Sequence, residues 1–213
     1  MTFNKINSPY SAGLTGCGFM QEEMTNVLPL LMQPNSDELL RQEVVQNKYL
    51  AIRTETTRSR AVAEFKRRYA SVPRTFWEDY INMSPSAQQV AMFFVILKTY
   101  RIAFDWQVDV VVKRWISVSQ SLTKMDLLNL FSEISLRDEF VASWTDLTKS
   151  KVAAAYMAIL KKIGMLNEKT GQLSPLYLPD EEWAYYIQIG ESWFLDACLL
   201  QPYEVERIKQ NAL

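Results

Sequence analysis

The apolar positions of this chain concentrate in one place. Residues 90–97, VAMFFVIL, contain no polar side chain, and the apolar character continues with interruptions from residue 84 to residue 119. A helix that is apolar nearly all round must be covered on several sides. The stretch therefore predicts the centre of the protein, as one central helix or as two helices in line with a break at 103–105. Ser84 is placed as its N-cap and Pro85 as its first helical residue, where the missing N–H costs nothing.

Amphipathic segments flank this centre. Residues 19–32 bring Met20, Met24, Val27, Leu28 and Leu31 to one side, and Gln33-Pro34-Asn35 ends the segment. Residues 36–47, with Ser36 as cap, offer Leu39, Leu40, Val44 and Val45 as a buried face. Residues 54–72 repeat Val62, Phe65, Tyr69 and Val72 at helical spacing, Pro73 stops them, and TFWEDYINM predicts a short helix into the central stretch. Beyond residue 119, Thr123 and Asp126 have the spacing of a capping box ahead of Leu127, Leu128, Leu130, Phe131 and Ile134. A short helix is expected within 135–142, then a helix capped by Thr148 that ends at Gly164. MLNEKTGQL, residues 165–173, reads as a tight hairpin. Three helices and a hairpin are the order of a winged helix-turn-helix. Three further helices follow Pro179. The fold class is all-α: a helical bundle around a long central helix. Residues 1–119 form an N-terminal lobe including that helix, and residues 120–213 a C-terminal lobe with a wing at 164–173.

Composition narrows the chemistry. Apolar residues make up 48% and charged residues 22%, as expected of a soluble globular protein. The formal net charge is −1, so any attraction to nucleic acid must come from a local patch. There is no histidine, which removes His-based acid/base catalysis, Ser-His triads, Cys-His dyads and His metal ligands. Cys17 and Cys198 lie far apart and read as buried free thiols in a reducing cytoplasm rather than a zinc site. MTFNKINSPYSAG has no signal pattern, and Lys98, Arg101, Asp105, Gln107 and Asp109 interrupt the central run before the ~20 apolar residues a membrane span needs. GLTGCG fits neither phosphate-loop pattern and reads as a packed N-terminal arm. Asp105 and Asp109, four residues apart, are the carboxylate pair to check for acid/base or metal chemistry, against a plainer reading as surface or capping carboxylates. No catalytic residue, metal or cofactor, and no small-molecule substrate, is expected.

Two basic surfaces remain. The first is a stripe on 53–68 with Arg53, Arg58, Arg60 and Arg67, beside Lys66 and Arg68. It could follow a phosphate backbone, or be a solvated face with Glu64 and Arg68 as a helical pair. The second lies on the helix before Gly164. Val152, Tyr156, Ile159, Leu160 and Ile163 form its core face, and the opposite face carries Ser150, Ala154, Ala158 and Lys161. Lys149, Lys151 and Lys162 lie near it, and Lys169 sits in the hairpin turn. Small side chains let a helix backbone approach a groove, and the lysines can neutralise phosphates. No Arg, Asn or Gln is placed to read base edges, so binding here would have little sequence preference. The alternative is that the small face packs against another helix.

YSAGLTGCGFMQEE at the start, RTETTRSR at 53–60, ILKTYR at 96–101 and the helix ending ILKKIGML resemble the BrxA family, small proteins of BREX phage-defence systems. The resemblance covers the whole chain in length, helical character and order of elements. It implies a cytoplasmic, non-catalytic protein with a fold related to the RNA-binding NusB antitermination proteins. It also implies binding of double-stranded DNA, and other BREX proteins as partners. The NusB relation points to the N-terminal basic stripe, whereas the hairpin points to the C-terminal one. A protein–protein adaptor and an RNA binder are the rival readings.

Overall fold

The computed structural model describes residues 7–212. Its helices are α1 (Leu14–Cys17), α2 (Gln21–Leu31), α3 (Ser36–Gln46), α4 (Glu55–Tyr69), α5 (Arg74–Tyr80), α6 (Pro85–Thr99), α7 (Arg101–Trp106), α8 (Val112–Trp115), α9 (Lys124–Ser135), α10 (Glu139–Ala142), α11 (Asp146–Lys162), α12 (Asp180–Gln188), α13 (Trp193–Ala197) and α14 (Pro202–Ala212). A π-helical turn, Gln107–Val111, joins α7 to α8. The class is all-α: strand pairing among the described residues is limited to two isolated antiparallel bridges.

Helix α6 is the centre that its sequence predicts. The Ser84 hydroxyl accepts from the Ala87 N–H at 3.2 Å, Pro85 opens the helix, and Val90–Leu97 are all buried. Aromatic rings from both ends of the chain close on it: Phe94 touches Phe76 of α5 and Tyr186 of α12, with centroids 5.4 and 5.5 Å away. One buried cluster runs from Tyr10 to Ile208. The central stretch breaks at Tyr100, whose extended backbone (φ −115°, ψ 103°) separates α6 from α7, rather than at 103–105. Neither proline nor glycine marks that position, so local sequence gives no sign of it.

Two other expectations change. Thr145, not Thr148, caps α11: its hydroxyl accepts from the Thr148 N–H at 3.2 Å. Two threonines three residues apart can each cap, and the first one starts the helix. On α3 the helix begins at Ser36 with Asn35 as cap residue and no side-chain cap bond, and Val45 is 67% exposed. Its buried face is completed by Glu43, whose carboxylate accepts from the N–H groups of Tyr49 and Leu50 at 2.7 and 2.9 Å. Periodicity weighs apolar residues only, so it cannot foresee a carboxylate buried by two loop amides.

The hairpin after α11 forms. Leu166 bridges Leu173, and Ser121 from the segment before α9 bridges Gln172 on the other side. Gly171 takes φ +70°, a conformation that favours glycine. The Asn167 side chain accepts from the N–H groups of Lys169 and Thr170, both at 3.0 Å, and fixes the turn. Helices α9, α10 and α11 with this hairpin keep the order of a winged helix-turn-helix.

Candidate nucleic-acid interface

The arginines of α4 do not form one surface. Arg58 is buried at 8% exposure, and its guanidinium donates to the carbonyls of Val44, Ile52 and Arg53, holding the loop between α3 and α4. Arg68 is fully buried and donates to the carbonyls of Gly18 and Phe19. Glu64, set against Arg68 as a helical pair in the sequence reading, accepts instead from the Tyr100 hydroxyl at 2.7 Å. Lys66 pairs with Asp37 at 2.6 Å, and Arg67 donates to the Ser11 hydroxyl. Arg53 and Arg60 are the exposed arginines left from the stripe.

The lysines of α11 are distributed differently. Helix α11 buries Val152, Ala153, Tyr156, Ile159 and Leu160, and packs against α1 and α9. Its opposite face points outward: Lys151, Ala154, Ala158 and Lys161 are exposed, and their spacing of three, four and three residues makes one stripe. The small-residue face is therefore not packed against another helix. Lys162 is exposed beside the stripe, and Lys169 is exposed at the hairpin turn beyond the end of the helix. Among the described residues no ion pair engages Lys151, Lys162 or Lys169, while Lys161 lies 3.5 Å from Glu168.

Lys149 lies off this stripe, and Ser150, one turn before Ala154 on the same face, is half-buried. The Lys149 ammonium turns towards α9, 3.3 Å from the Ser135 hydroxyl and 6.0 Å from the Phe131 ring centre. The Ser150 hydroxyl accepts from the Lys124 ammonium at 2.6 Å. Lys124 is thus a further cation beside the helix. Its sequence position, first in α9 and remote from α11, gives no hint of that contact.

The enzyme-like candidates are occupied elsewhere. Asp105 is 2% exposed, accepts from the Tyr10 hydroxyl at 2.7 Å and pairs with Arg101 at 2.7 Å, whereas Asp109 pairs with Lys113 on the surface. Burial, with the hydrogen bond to Asp105 and its charge, pushes the Tyr10 hydroxyl above its usual range and keeps it a neutral donor. Among the described residues no three Cys, Asp or Glu side chains gather to hold a metal ion. Cys17 and Cys198 are both buried and free, and burial pushes the Cys17 thiol up to about 11. No helix among the described residues is long and apolar enough to cross a membrane.

A model of the protein family described as BrxA matches residues 8–189. The "BREX protein BrxA" of Bacillus cereus (strain H3081.97) is 22% identical over 149 residues, spanning 70% of this chain and 74% of that protein. The crystal structure of an uncharacterized protein from Magnetospirillum magneticum superimposes with a TM-score of 0.74. That match has 18% identity and covers 90% of this chain and 98% of the other, so it bears on the fold alone.

Proposed function

Because this chain belongs to the BrxA family, we propose that it is a cytoplasmic, non-catalytic accessory of a BREX phage-defence system that binds double-stranded DNA with little sequence preference. Its relative in B. cereus carries the BREX name. The observation that carries the DNA reading is the exposed α11 stripe, with two alanines between two lysines and, at Lys162 and Lys169, exposed cations that no ion pair engages among the described residues. Alanines allow the helix backbone to approach a groove, and the lysines meet phosphates on either side. Nothing on the stripe forks onto a base edge, so discrimination between sequences is weak. On a chain of net charge −1 the attraction is local, and the rest of the surface is repelled by the duplex.

The test is a titration of the purified protein against a random-sequence duplex at low and physiological salt. Four engaged lysines give a log–log salt slope of about −3 to −4. A flat response, or no binding at low salt, rejects the reading. Pull-downs with other BREX proteins would then examine the adaptor role. Tighter binding to an RNA duplex under the same conditions would move the assignment to RNA.

A further inference from the structure

Two buried polar atoms on α12 have no partner. Glu182 and Tyr186 are four residues apart and share a helix face. Glu182 Oε2 and the Tyr186 hydroxyl are both buried, and neither meets a hydrogen-bond partner. Tyr186 is 1% exposed, so bulk water does not satisfy it. Buried polar atoms in native proteins are nearly always partnered, and an orphaned pair calls for an explanation. Both residues line a cleft of about 340 Å³ between α12 and the turn from α5 to α6, with Asp79, Asn82, Met83, Ser84, Ala87 and Tyr185 as its other walls. That volume is within the usual range of small-ligand sites, about 300–1,000 Å³.

Charge selects the class of ligand. The walls contain two carboxylates, Asp79 and Glu182, and no lysine or arginine. Asp79 accepts from the Tyr185 hydroxyl at 2.9 Å through one oxygen, which leaves the other. Asn82 donates its amide to the Glu78 carbonyl at 2.9 Å, which leaves its Oδ1 to accept. The first turn of α6 opens here, but Pro85 has no N–H and the Ala87 and Gln88 N–H groups are taken by Ser84, which leaves the single Ser86 N–H for an anion. A hard divalent ion requires about six or more oxygen ligands, and no group of three acidic side chains is present among the described residues. An ammonium group has three donors, which matches these acceptors, and its alkyl stem has Met83, Ala87 and the Tyr185 ring to lie against.

We propose that this cleft is a binding site for an alkylammonium group, with Glu182 as its charged anchor and Asp79, Asn82 and Tyr186 as further polar contacts. The cation reaches it as a free amine or as the lysine side chain of a peptide.

Calorimetric titration of the full chain with putrescine, and separately with Nα-acetyl-lysine amide, tests it. Saturable binding of either probe is expected, weakened about tenfold or more by Glu182→Gln and unchanged by Glu181→Gln on the exposed neighbour. Putrescine alone assigns a free amine, the lysine derivative alone assigns a peptide side chain, and both together support a general ammonium site. Asp79→Asn, at an exposed residue, gives the same reading if Glu182→Gln does not fold. Tyr186→Phe should leave the melting temperature of the unliganded protein unchanged or raised, because the hydroxyl it removes has no partner. A lowered melting temperature overturns the orphan argument. Absence of saturable binding through millimolar probe, or equal binding by both carboxylate variants and the parent, overturns the site.

Discussion

The Arg68 guanidinium, fully buried on α4, donates to the carbonyl of Phe19 at 2.7 Å. It also donates to the Gly18 carbonyl, and the Tyr100 ring centre is 5.7 Å away. The most basic segment of the chain thus uses an arginine to hold the segment before α2 against the bundle. The same segment is fixed at three more points: Ser8 to Asp138 at 2.8 Å, Tyr10 to Asp105, and Ser11 to Arg67. A buried guanidinium gives up its hydration, and the two backbone carbonyls replace it at both terminal nitrogens without adding a negative charge, while Nε stays without a partner.

Replacing Arg68 with methionine keeps the bulk of the side chain and removes both hydrogen bonds. The variant should lose about 2–4 kcal/mol, measured by thermal or denaturant unfolding. Arg68→Lys should recover little, since one ammonium cannot fork to two carbonyls as guanidinium does. Arg60→Met, at an exposed position, should stay within about 0.5 kcal/mol of the parent. A methionine variant of Arg68 as stable as the parent would remove the anchoring role.

Three arginines of α4 show what a sequence can and cannot disclose. Arg58, Arg60 and Arg68 are one residue type on one helix, and periodicity has no means of separating them. Arg58 is buried because carbonyls from residues 44, 52 and 53 come together only when the loop before α4 folds back. By contrast the Ser84–Pro85 start, the apolar run of α6 and the Thr123–Asp126 capping box rest on neighbours in sequence, and all are legible there. The outward lysine stripe of α11 is legible too, since it is the complement of a clear core face. The cleft at Glu182 is not. Tyr186 stands in an apolar run and reads as core, and its missing partner is a property of the tertiary structure.

Gln107 links three elements through its side chain. In the π-helical turn it accepts from the Tyr156 hydroxyl of α11 and donates to the Ala197 carbonyl of α13. Burial raises the Tyr156 hydroxyl well above its usual range, so it remains a donor at any workable pH. Tyr156→Phe strands the Gln107 oxygen and should cost about 1–2 kcal/mol, and Gln107→Leu strands the Ala197 carbonyl at similar or greater cost. The double variant should be less destabilised than the sum, because the two changes share one hydrogen bond. Strict additivity in denaturant unfolding would mean that the bond contributes nothing.

Asp126 gives the acid side of the stability curve. Burial pushes its carboxyl up, but hydrogen bonds from the Thr123 backbone and hydroxyl, both at 2.8 Å, and the charge of Arg114 outweigh that and hold it below its ordinary value of 3.8. In the window below 3.8 the unfolded chain binds this proton more readily than the folded one. The stabilisation is therefore complete above that pH and is lost as pH falls through the folded value. Asp126→Ala should cost about 1 kcal/mol at neutral pH, as loss of a capping residue does. The gap to the parent should narrow on acidification. A gap independent of pH would show that the charge of Asp126 carries none of it.

Charge reversal locates the DNA surface only at residues whose reversal leaves the fold intact. Arg58 is excluded, because a glutamate there would bury an unpaired charge among three carbonyls. Arg53 and Arg60 are exposed, and reversing both changes the net charge by the same amount as reversing Lys151 and Lys162. At physiological ionic strength screening confines such changes to about 8 Å, so the two pairs report on their own surroundings. Lys151→Glu with Lys162→Glu should weaken duplex binding about tenfold or more and flatten the log–log salt slope by about 2. Arg53→Glu with Arg60→Glu should leave the slope unchanged. A larger loss from the arginine pair would move the interface to α4, and equal losses from both pairs would reduce the effect to net charge.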